Sequence, residues 1–336
     1  MSSIKRIQNM EDFRELFFAF RLPRLLLTAL EIRLFTVMNK KKWTIKRLAK
    51  TLQVSERGLE MLCRNLASAG LLLKHGTQYQ SGKFGQRFLN NHSTQYCGSY
   101  LDLMCRQWDN WNHLTQAVKT GQPVKDKEPE TPGYRRAFSL AMHERSMHSA
   151  RQVAKQIHLN AAQTLLDVGG GPGTYALEFL AQNPNMTATV LDRPAALDVA
   201  KEIAHRFRQG QRLSYQAGDF LNDTIQGTYD VIWLSNVIHI YSPSTNTRLL
   251  RRLRSHLNPG GKLLIQDTFL LDKNGIRPAE TNLFAVTMLL FTESGNTYSV
   301  RNVQEWLKKT GYKKPGLLKL QEGTGDWEGV LIQAYG

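Results

Sequence analysis

A glycine-rich run directly behind an apolar segment is the feature that most constrains the fold of this chain. Residues 165–168 are Leu-Leu-Asp-Val, and residues 169–173 are Gly-Gly-Gly-Pro-Gly. Glycines at the end of a strand let the backbone approach a ligand that a Cβ atom would keep away. The run therefore predicts a strand, a ligand-binding turn and a helix. A tight turn without a ligand is the alternative, but such a turn does not require this many glycines.

Apolar segments that suit strands alternate with amphipathic segments that suit helices from Thr164 onward. The predicted strands are Thr164–Val168, Thr187–Leu191, Leu213–Ala217, Tyr229–Leu234 and Lys262–Gln266, with helices beginning near Thr174, Ala195 and Ser244 and a terminal strand pair at Leu317–Leu320 and Gly329–Ala334. Alternation of this kind is typical of a parallel sheet with helices on both faces. The predicted fold class is therefore α/β, with a Rossmann-like doubly wound sheet.

The N-terminal part of the chain is mostly helical in pattern. A helical segment with Leu48 and Leu52 follows Trp43, Ser55 suits the N-cap of the next helix, and His75-Gly76 suits a hairpin turn. Helix, helix and hairpin in this order are typical of a winged helix-turn-helix domain. Residues 95–120 and 134–158 are again helical in pattern. The stretch between them, Gly121–Gly133, holds three prolines and many charges and predicts an exposed loop.

Acidic residues end the first three predicted strands of the doubly wound sheet. Asp167 precedes the glycine run, and Asp192 suits the two ribose hydroxyls of a nucleoside cofactor. Asp192 does not separate this site from an NAD site, but Thr174 stands where a dinucleotide fingerprint needs its third glycine. Asp219 suits an exocyclic amine and Phe220 suits an adenine face. A turn or N-cap aspartate is the alternative for Asp219.

His239 follows the fourth predicted strand, in Asn-Val-Ile-His-Ile-Tyr, at the edge of the sheet where ligands bind. Histidine side chains in general titrate near neutral pH, which suits a base for a phenol or an enol. A structural histidine is the alternative. The sequence shows no cluster of metal ligands around it, so no metal is predicted.

The order of these motifs resembles the class I S-adenosylmethionine-dependent methyltransferases. Asp-Val-Gly-Gly-Gly-Pro-Gly, Leu-Asp-Arg-Pro, Gly-Asp-Phe, Asn-Val-Ile-His and Leu-Asn-Pro-Gly-Gly-Lys-Leu-Leu-Ile-Gln-Asp follow one another over nearly the whole chain. Within that class the chain is similar to the small-molecule O-methyltransferases, which include plant caffeate, animal acetylserotonin and bacterial natural-product enzymes. The resemblance implies S-adenosylmethionine as cofactor and a hydroxyl group as methyl acceptor.

The resemblance also implies a role for individual residues. His239 would be the catalytic base, with Asp267 behind it. Cofactor contacts would come from Asp167, Gly169, Gly171, Asp192, Asp219, Phe220, Ser146 and Ser235, and the substrate lining would include Met142, His143, Met288 and Phe291. An exposed helical histidine is the alternative for His143. The family motif His-Asp-Trp reads His239-Ile240-Tyr241 here, and Thr297 stands where plant members carry a glutamate, so two acids of the family are missing.

The resemblance divides the chain into three parts. Residues 1–94 would form a winged-helix domain that makes a homodimer, residues 95–150 would bridge and cover the substrate, and residues 151–336 would bind the cofactor. No segment has the pattern of a membrane span or a signal peptide, and Cys63, Cys97 and Cys105 are too scattered for a disulfide framework. A cytoplasmic protein without a membrane partner is therefore expected.

The charge balance leaves a second class of function open. Lys and Arg number 44 against 28 Asp and Glu, a net charge of +16, which raises affinity for nucleic acids. However, the would-be recognition helix, Ser55–Ser68, carries Glu56 and Glu60, and carboxylates are unfavourable beside phosphates. Nucleic acid is therefore not the expected partner. Methylation of a carbon or nitrogen atom, or cofactor binding without chemistry, stays open because of the missing acids.

Overall fold

A computed structural model describes residues 6–123, 132–159, 161–320 and 330–336. Most of the loop predicted over Gly121–Gly133 and the first residue of the strand predicted at Gly329–Ala334 lie outside this range. The described residues group into two units, divided between Asp109 and Asn110. No helix of the described chain is long and apolar enough to cross a membrane.

The first unit has the predicted order of helix, helix and hairpin. Its elements are α1 (Met10–Phe18), α2 (Arg21–Glu31), α3 (Leu34–Met38), β1 (Trp43–Thr44), α4 (Ile45–Leu52), α5 (Glu56–Ser68), β2 (Leu72–His75), β3 (Gln78–Ser81), α6 (Lys83–Phe88) and α7 (Gly98–Trp111), which continues past the division. The Ser55 side chain accepts a hydrogen bond from the Gly58 backbone N–H at 3.3 Å, so the predicted N-cap of α5 is confirmed. β3 lies between β1 and β2 and is antiparallel to both.

An apolar face of α1 is left exposed in this unit. Phe13, Leu16 and Phe17 are 47%, 54% and 62% exposed, whereas the core of the unit buries residues such as Leu48, Leu66 and Tyr79. Exposed apolar patches of this kind mark interaction surfaces.

The second unit carries the predicted doubly wound sheet. Its elements are α8 (Leu114–Thr120), α9 (Pro132–Gln156), β4 (Thr164–Val168), α10 (Thr174–Gln182), β5 (Thr187–Asp192), α11 (Pro194–Ala204), β6 (Leu213–Ala217), β7 (Tyr229–Ser235), α12 (Pro243–Arg254), β8 (Leu257–Gln266), β9 (Phe269–Leu270), α13 (Ala279–Phe291), β10 (Tyr298–Ser299), α14 (Val300–Lys309), β11 (Lys313–Lys319) and β12 (Val330–Tyr335). Each predicted strand and helix start lies within a few residues of an observed one.

The strand order of the sheet brings the predicted motifs to one edge. Among the described residues the strand order is β11-β12-β8-β7-β4-β5-β6. The five strands β8, β7, β4, β5 and β6 are parallel to one another, and β12 is antiparallel to both of its neighbours, β11 and β8. The carboxyl ends of β4, β5, β7 and β8 therefore meet at the same edge, and the strand order reverses next to β4. The terminal strand pair is confirmed as β11 and β12.

Each face of the sheet is covered by its own hydrophobic cluster. Leu165 and Trp233 pack on one side with α9, α10 and α11, and Leu166 and Leu234 pack on the other with α12 and α14. Side chains on successive residues of a strand point to opposite faces, so a strand covered on both faces is apolar throughout. This explains the continuous apolar runs in the sequence.

Candidate active site

The glycine run forms the turn between β4 and α10. It lies at the edge of the sheet where the carboxyl ends of the parallel strands meet, which we call the active edge. Gly169, Gly171 and Gly173 have φ angles of 66°, 52° and 71°, a region that side chains with a Cβ rarely adopt. A Cβ on Gly169 would lie 2.9 Å from Cγ2 of Val237 and 3.3 Å from Cε1 of Phe220. The turn therefore requires glycine both for its backbone conformation and for the close packing of its neighbours.

Asp192 fixes the loop from the end of β5. Its Oδ2 accepts a hydrogen bond from the Gly171 backbone N–H at 2.7 Å, and its Oδ1 accepts one from the Arg193 N–H at 2.6 Å. Burial raises the pKa of the Asp192 carboxyl, and these two N–H donors oppose the shift. A carboxylate has lone pairs beyond the two used here, so further donors such as ribose hydroxyls can bind.

Asp167 lies beneath the loop and is almost completely buried. Its Oδ2 has no hydrogen-bond partner among the described residues, and a Cβ on Gly170 would lie 2.5 Å from its Cγ. Burial raises the pKa of Asp167 to about 7, the charge of Asp192 adds to the shift, and the Ala176 backbone N–H opposes it.

Asp219 and Phe220 follow β6, which pairs in parallel with β5. Asp219 Oδ1 accepts from the Leu221 N–H at 2.9 Å and its Oδ2 accepts from Nδ2 of Asn222 at 2.7 Å, so Asp219 is a turn-forming aspartate. Its contact with an adenine amine stays a prediction. The Phe220 ring lies between the glycine loop and Tyr241, with its centroid 6.1 Å from that of the Tyr241 ring in an edge-to-face arrangement.

The two predicted serines lie on different elements. The backbone carbonyl of Ser146, on α9, accepts from the Ser149 hydroxyl at 3.1 Å, and the Ser235 Oγ, at the end of β7, accepts from Nδ2 of Asn236 at 3.0 Å. Burial raises the pKa of Tyr175, the second residue of α10, and the nearby side chains of Ser149, Gln266 and Ser235 oppose this shift. Sequence reasoning missed Tyr175, although its position directly behind the glycine run was a usable signal.

His239 and Asp267 form a buried pair. Nδ1 of His239 lies 2.7 Å from Oδ1 of Asp267, and the His239 backbone N–H donates to Oδ2 at 3.4 Å. The Thr268 backbone N–H donates to the same Oδ1 at 2.7 Å. The exposed fractions are 7% for His239 and 1% for Asp267. Because Asp267 binds Nδ1, the ring proton is held on that side, and Nε2 is left as the acceptor.

Two other elements contact the turn that carries His239. The Phe284 ring, on α13, lies edge-to-face with the imidazole at 4.8 Å between centroids, a contact that sequence reasoning missed. The Asn296 backbone N–H donates to the His239 carbonyl at 2.9 Å. Thr297 is buried next to Asn296 and carries no charge. The segment that contains Thr297 therefore lies against the turn that carries His239, and Thr297 supplies no carboxylate there.

The predicted substrate-lining residues lie on α9 and α13. Met288 is buried and Phe291 is half-buried on α13, and Met142 is half-buried on α9. Nδ1 of His143 lies 2.9 Å from the Thr174 hydroxyl, on the first residue of α10. Burial lowers the pKa of His143 to about 4, with a contribution from Arg206. The alternative of an exposed histidine is therefore wrong, and His143 supports the helix that follows the glycine loop. The contacts of all four residues with a substrate stay predictions.

Within the described parts of the chain, no group of three or more His, Cys, Asp or Glu side chains is placed to hold a metal ion. The polar groups at the active edge instead form two neighbouring sets. One set surrounds the glycine loop, and the other is the His239–Asp267 pair. Their arrangement suits a nucleoside ligand beside a proton acceptor.

Known proteins match this chain along most of its length. A sequence profile of the O-methyltransferase domain matches residues 111–313, and one of the O-methyltransferase dimerisation domain matches residues 14–91. The chain is 27% identical over 293 residues to 3-hydroxy-5-methyl-1-naphthoate 3-O-methyltransferase of Streptomyces sahachiroi, across 85% of this chain and 84% of that one. It is 24% identical over 339 residues to L-tyrosine C(3)-methyltransferase of Streptomyces lavendulae, across 96% and 92%. The solved structure of human N-acetylserotonin methyltransferase with S-adenosylmethionine superposes with a TM-score of 0.85 at 24% identity, covering 100% of this chain and 99% of that one.

Proposed function

We propose that this chain, which belongs to the O-methyltransferase family, methylates a hydroxyl oxygen of a small aromatic or polyene natural product. S-adenosylmethionine is its cofactor. His239 takes the proton from the acceptor hydroxyl. The observation that carries this proposal is the 2.7 Å contact between Nδ1 of His239 and Oδ1 of Asp267, beside the glycine loop.

The residues around the loop fit this cofactor. The glycines leave room for close approach, Asp192 has lone pairs for the ribose hydroxyls, and Phe220 offers an apolar face for the adenine. Ser146 on α9, Ser235 at the end of β7 and Asp167 at the end of β4 suit the polar methionyl part. When bound, the cofactor supplies a methyl group on a positively charged sulfur.

The proton step belongs to His239. Nε2 accepts the proton of the acceptor hydroxyl as the oxygen becomes nucleophilic, and Asp267 stabilises the imidazolium that results. General-base catalysis by a placed side chain contributes on the order of 10²- to 10⁴-fold in rate. Asp267 supplies negative charge beside the His239 ring, and Ile240 and Thr297 stand where the family resemblance places two further acids.

The acceptor class is inferred from the predicted lining and from the relatives. Met142, Met288 and Phe291 offer apolar and polarisable surface, which suits an aromatic or polyene body. The Streptomyces sahachiroi relative is named for a hydroxynaphthoate and the human relative for N-acetylserotonin, both of which are aromatic hydroxyl compounds. The division of the chain at residues 94 and 150 remains part of this proposal.

The first unit makes the enzyme a homodimer in this proposal. The dimerisation profile covers residues 14–91. The exposed side chains of Phe13, Leu16 and Phe17 on α1 would be covered by a second copy, because a contiguous apolar face is unfavourable in water.

Carbon methylation is the second candidate, and one observation favours it. A relative that matches 96% of this chain is named an L-tyrosine C(3)-methyltransferase. An activated phenol is nucleophilic at its ring carbons as well as at its oxygen, so the same base suits both reactions. The position of the methyl acceptor in the site decides between the two reactions.

A product analysis tests the proposal. The purified protein is incubated with methyl-labelled S-adenosylmethionine and a panel containing a hydroxynaphthoate, N-acetylserotonin, L-tyrosine and a polyene alcohol. NMR of the labelled methyl group then separates an O-methyl from a C-methyl product. An O-methyl product that His239→Ala fails to form supports the proposal, and a C-methyl product favours the second candidate. His256→Ala is the matched control, since His256 contacts the Gly227 carbonyl away from the active edge.

A further inference from the structure

Asn236 has an unusual backbone at the end of the central strand β7. Its φ angle is +56°, in the left-handed region, and its backbone N–H donates to the Gln266 carbonyl at 2.9 Å. Asparagine tolerates this region better than most residues, but glycine adopts it at lower cost. The turn alone therefore accounts for a small or flexible residue and does not require an amide side chain.

The amide of Asn236 is only partly satisfied. Its Nδ2 donates to the Ser235 hydroxyl at 3.0 Å, which fixes the orientation of the amide group. Its Oδ1 is buried and has no hydrogen-bond partner among the described residues. A buried acceptor without a donor is unfavourable, and most buried polar atoms in native proteins have a hydrogen-bond partner.

The position of Asn236 places this acceptor between the two sets of site residues. The next residue, Val237, packs against Gly169 of the glycine loop, with its Cγ2 2.9 Å from where a Cβ on Gly169 would lie. The catalytic base, His239, follows on the same turn. Asn236 thus lies at a strand end that adjoins both the loop and the base.

We propose that Oδ1 of Asn236 accepts a hydrogen bond from the ammonium group of the methionyl part of S-adenosylmethionine, an assignment that rests on the proposed function. The ammonium is the part of the cofactor that offers only donors, whereas the carboxylate would be repelled by an amide oxygen. The ribose hydroxyls fall to Asp192, and the acceptor hydroxyl donates to His239. Asn236 is therefore a binding residue that selects the amino-acid end of the cofactor.

A pair of ligands tests this assignment without any measurement of activity. S-adenosylhomocysteine carries the ammonium, and 5′-methylthioadenosine has the same nucleoside but lacks the amino-acid end. For Asn236→Gly, which keeps the backbone conformation, calorimetry should give a Kd for S-adenosylhomocysteine weakened by roughly 10- to 100-fold, as for loss of a hydrogen bond to a charged group. The Kd for 5′-methylthioadenosine should stay within about twofold, because that ligand has no ammonium to lose.

Two further variants separate recognition from folding. Asn236→Asp keeps an acceptor at the same place and should bind S-adenosylhomocysteine at least as tightly as the wild type. Lys314→Gly places glycine at another left-handed position, φ +49°, on an exposed residue away from the site, and should change neither Kd.

Several outcomes would overturn the assignment. If Asn236→Gly weakens both ligands equally, Asn236 acts only by shaping the turn. If it leaves S-adenosylhomocysteine unaffected and raises only the KM of the methyl acceptor, the amide recognises the substrate instead. A wild-type protein that binds neither ligand would contradict the proposed function itself, a result distinct from any that the variants alone produce.

Discussion

Replacing Asp267 by asparagine separates the charge of this side chain from its geometry. In the native site, Oδ1 accepts from both His239 Nδ1 and the Thr268 backbone N–H, each at 2.7 Å. If the amide nitrogen of the variant took the Oδ1 position, it would face the Thr268 N–H, donor against donor. With the oxygen at the Oδ1 position, the amide nitrogen faces only the His239 backbone N–H, at the longer distance of 3.4 Å. This orientation is therefore the less unfavourable one, and in it His239 keeps its proton on Nδ1 and its acceptor on Nε2.

The expected loss of rate follows from this orientation. A hydrogen bond to a charged group contributes about 1.5–3 kcal/mol and one between neutral groups about 0.5–1.5 kcal/mol. The difference of about 1–2 kcal/mol, felt when His239 becomes an imidazolium, corresponds to a rate loss of about 5- to 30-fold. Asp267→Ala also releases the ring and should lose on the order of 10²-fold or more.

The assay is single-turnover methylation by wild type, Asp267→Asn and Asp267→Ala, with saturating cofactor and the acceptor found in the panel. Asp230→Asn is the matched control, because that carboxylate accepts from Gln163, Thr164 and Asn258 at the opposite edge of the sheet. It should lower thermal stability and leave the rate unchanged. A loss in Asp267→Asn as large as that in Asp267→Ala would refute the argument from Thr268, and no loss in either would refute the pair as part of the mechanism.

Three further perturbations test the loop and the dimer. Gly169→Ala should lower stability and cofactor affinity more than Gly171→Ala. Both positions have left-handed backbones, but only a Cβ added at Gly169 would meet close neighbours. Equal melting temperatures and equal Kd values for the two variants would contradict this. Burial and then the charge of Asp192 raise the pKa of Asp167 to about 7. As pH rises from 5 to 8, the free energy of unfolding of the wild type should therefore fall relative to that of Asp167→Asn, by on the order of 2 kcal/mol. A difference between the two proteins that stays constant with pH in denaturant titrations would contradict this. Phe17→Asp should yield a monomer in sedimentation measurements, and an unchanged dimer would place the interface elsewhere.

The strands of the second unit were predictable because both faces of the sheet are covered. Continuous apolar runs such as Tyr229–Leu234 end where polar or glycine residues begin, so their limits are visible in the sequence. Two strands begin earlier than predicted: β11 begins at Lys313 and not at Leu317, and β8 begins at Leu257 and not at Lys262. Asn258-Pro259-Gly260 has the composition of a turn, but the strand continues through it with a shift of register between Tyr229 and Val231 of β7.

The pairing of His239 with Asp267 was predictable from the resemblance, whereas the residues around the pair were not. Phe284 reaches the site through helix packing, and no local pattern marks such a contact. Tyr175 does have a local signal, its position directly behind the glycine run. The environment of His143 was also hidden, since its bond to Thr174 joins two helices far apart in sequence. Sequence patterns report which strand end a residue follows, but side-chain partners across elements depend on tertiary packing.

The central claim is that His239 is the base and that cofactor binding is independent of it. The most direct measurement is the rate of methyl transfer by His239→Ala, with its affinity for S-adenosylhomocysteine determined in parallel by calorimetry. The predicted result is an affinity within about twofold of wild type and a rate lower by on the order of 10²-fold or more. A variant that binds the ligand normally and methylates at nearly the wild-type rate would contradict the account.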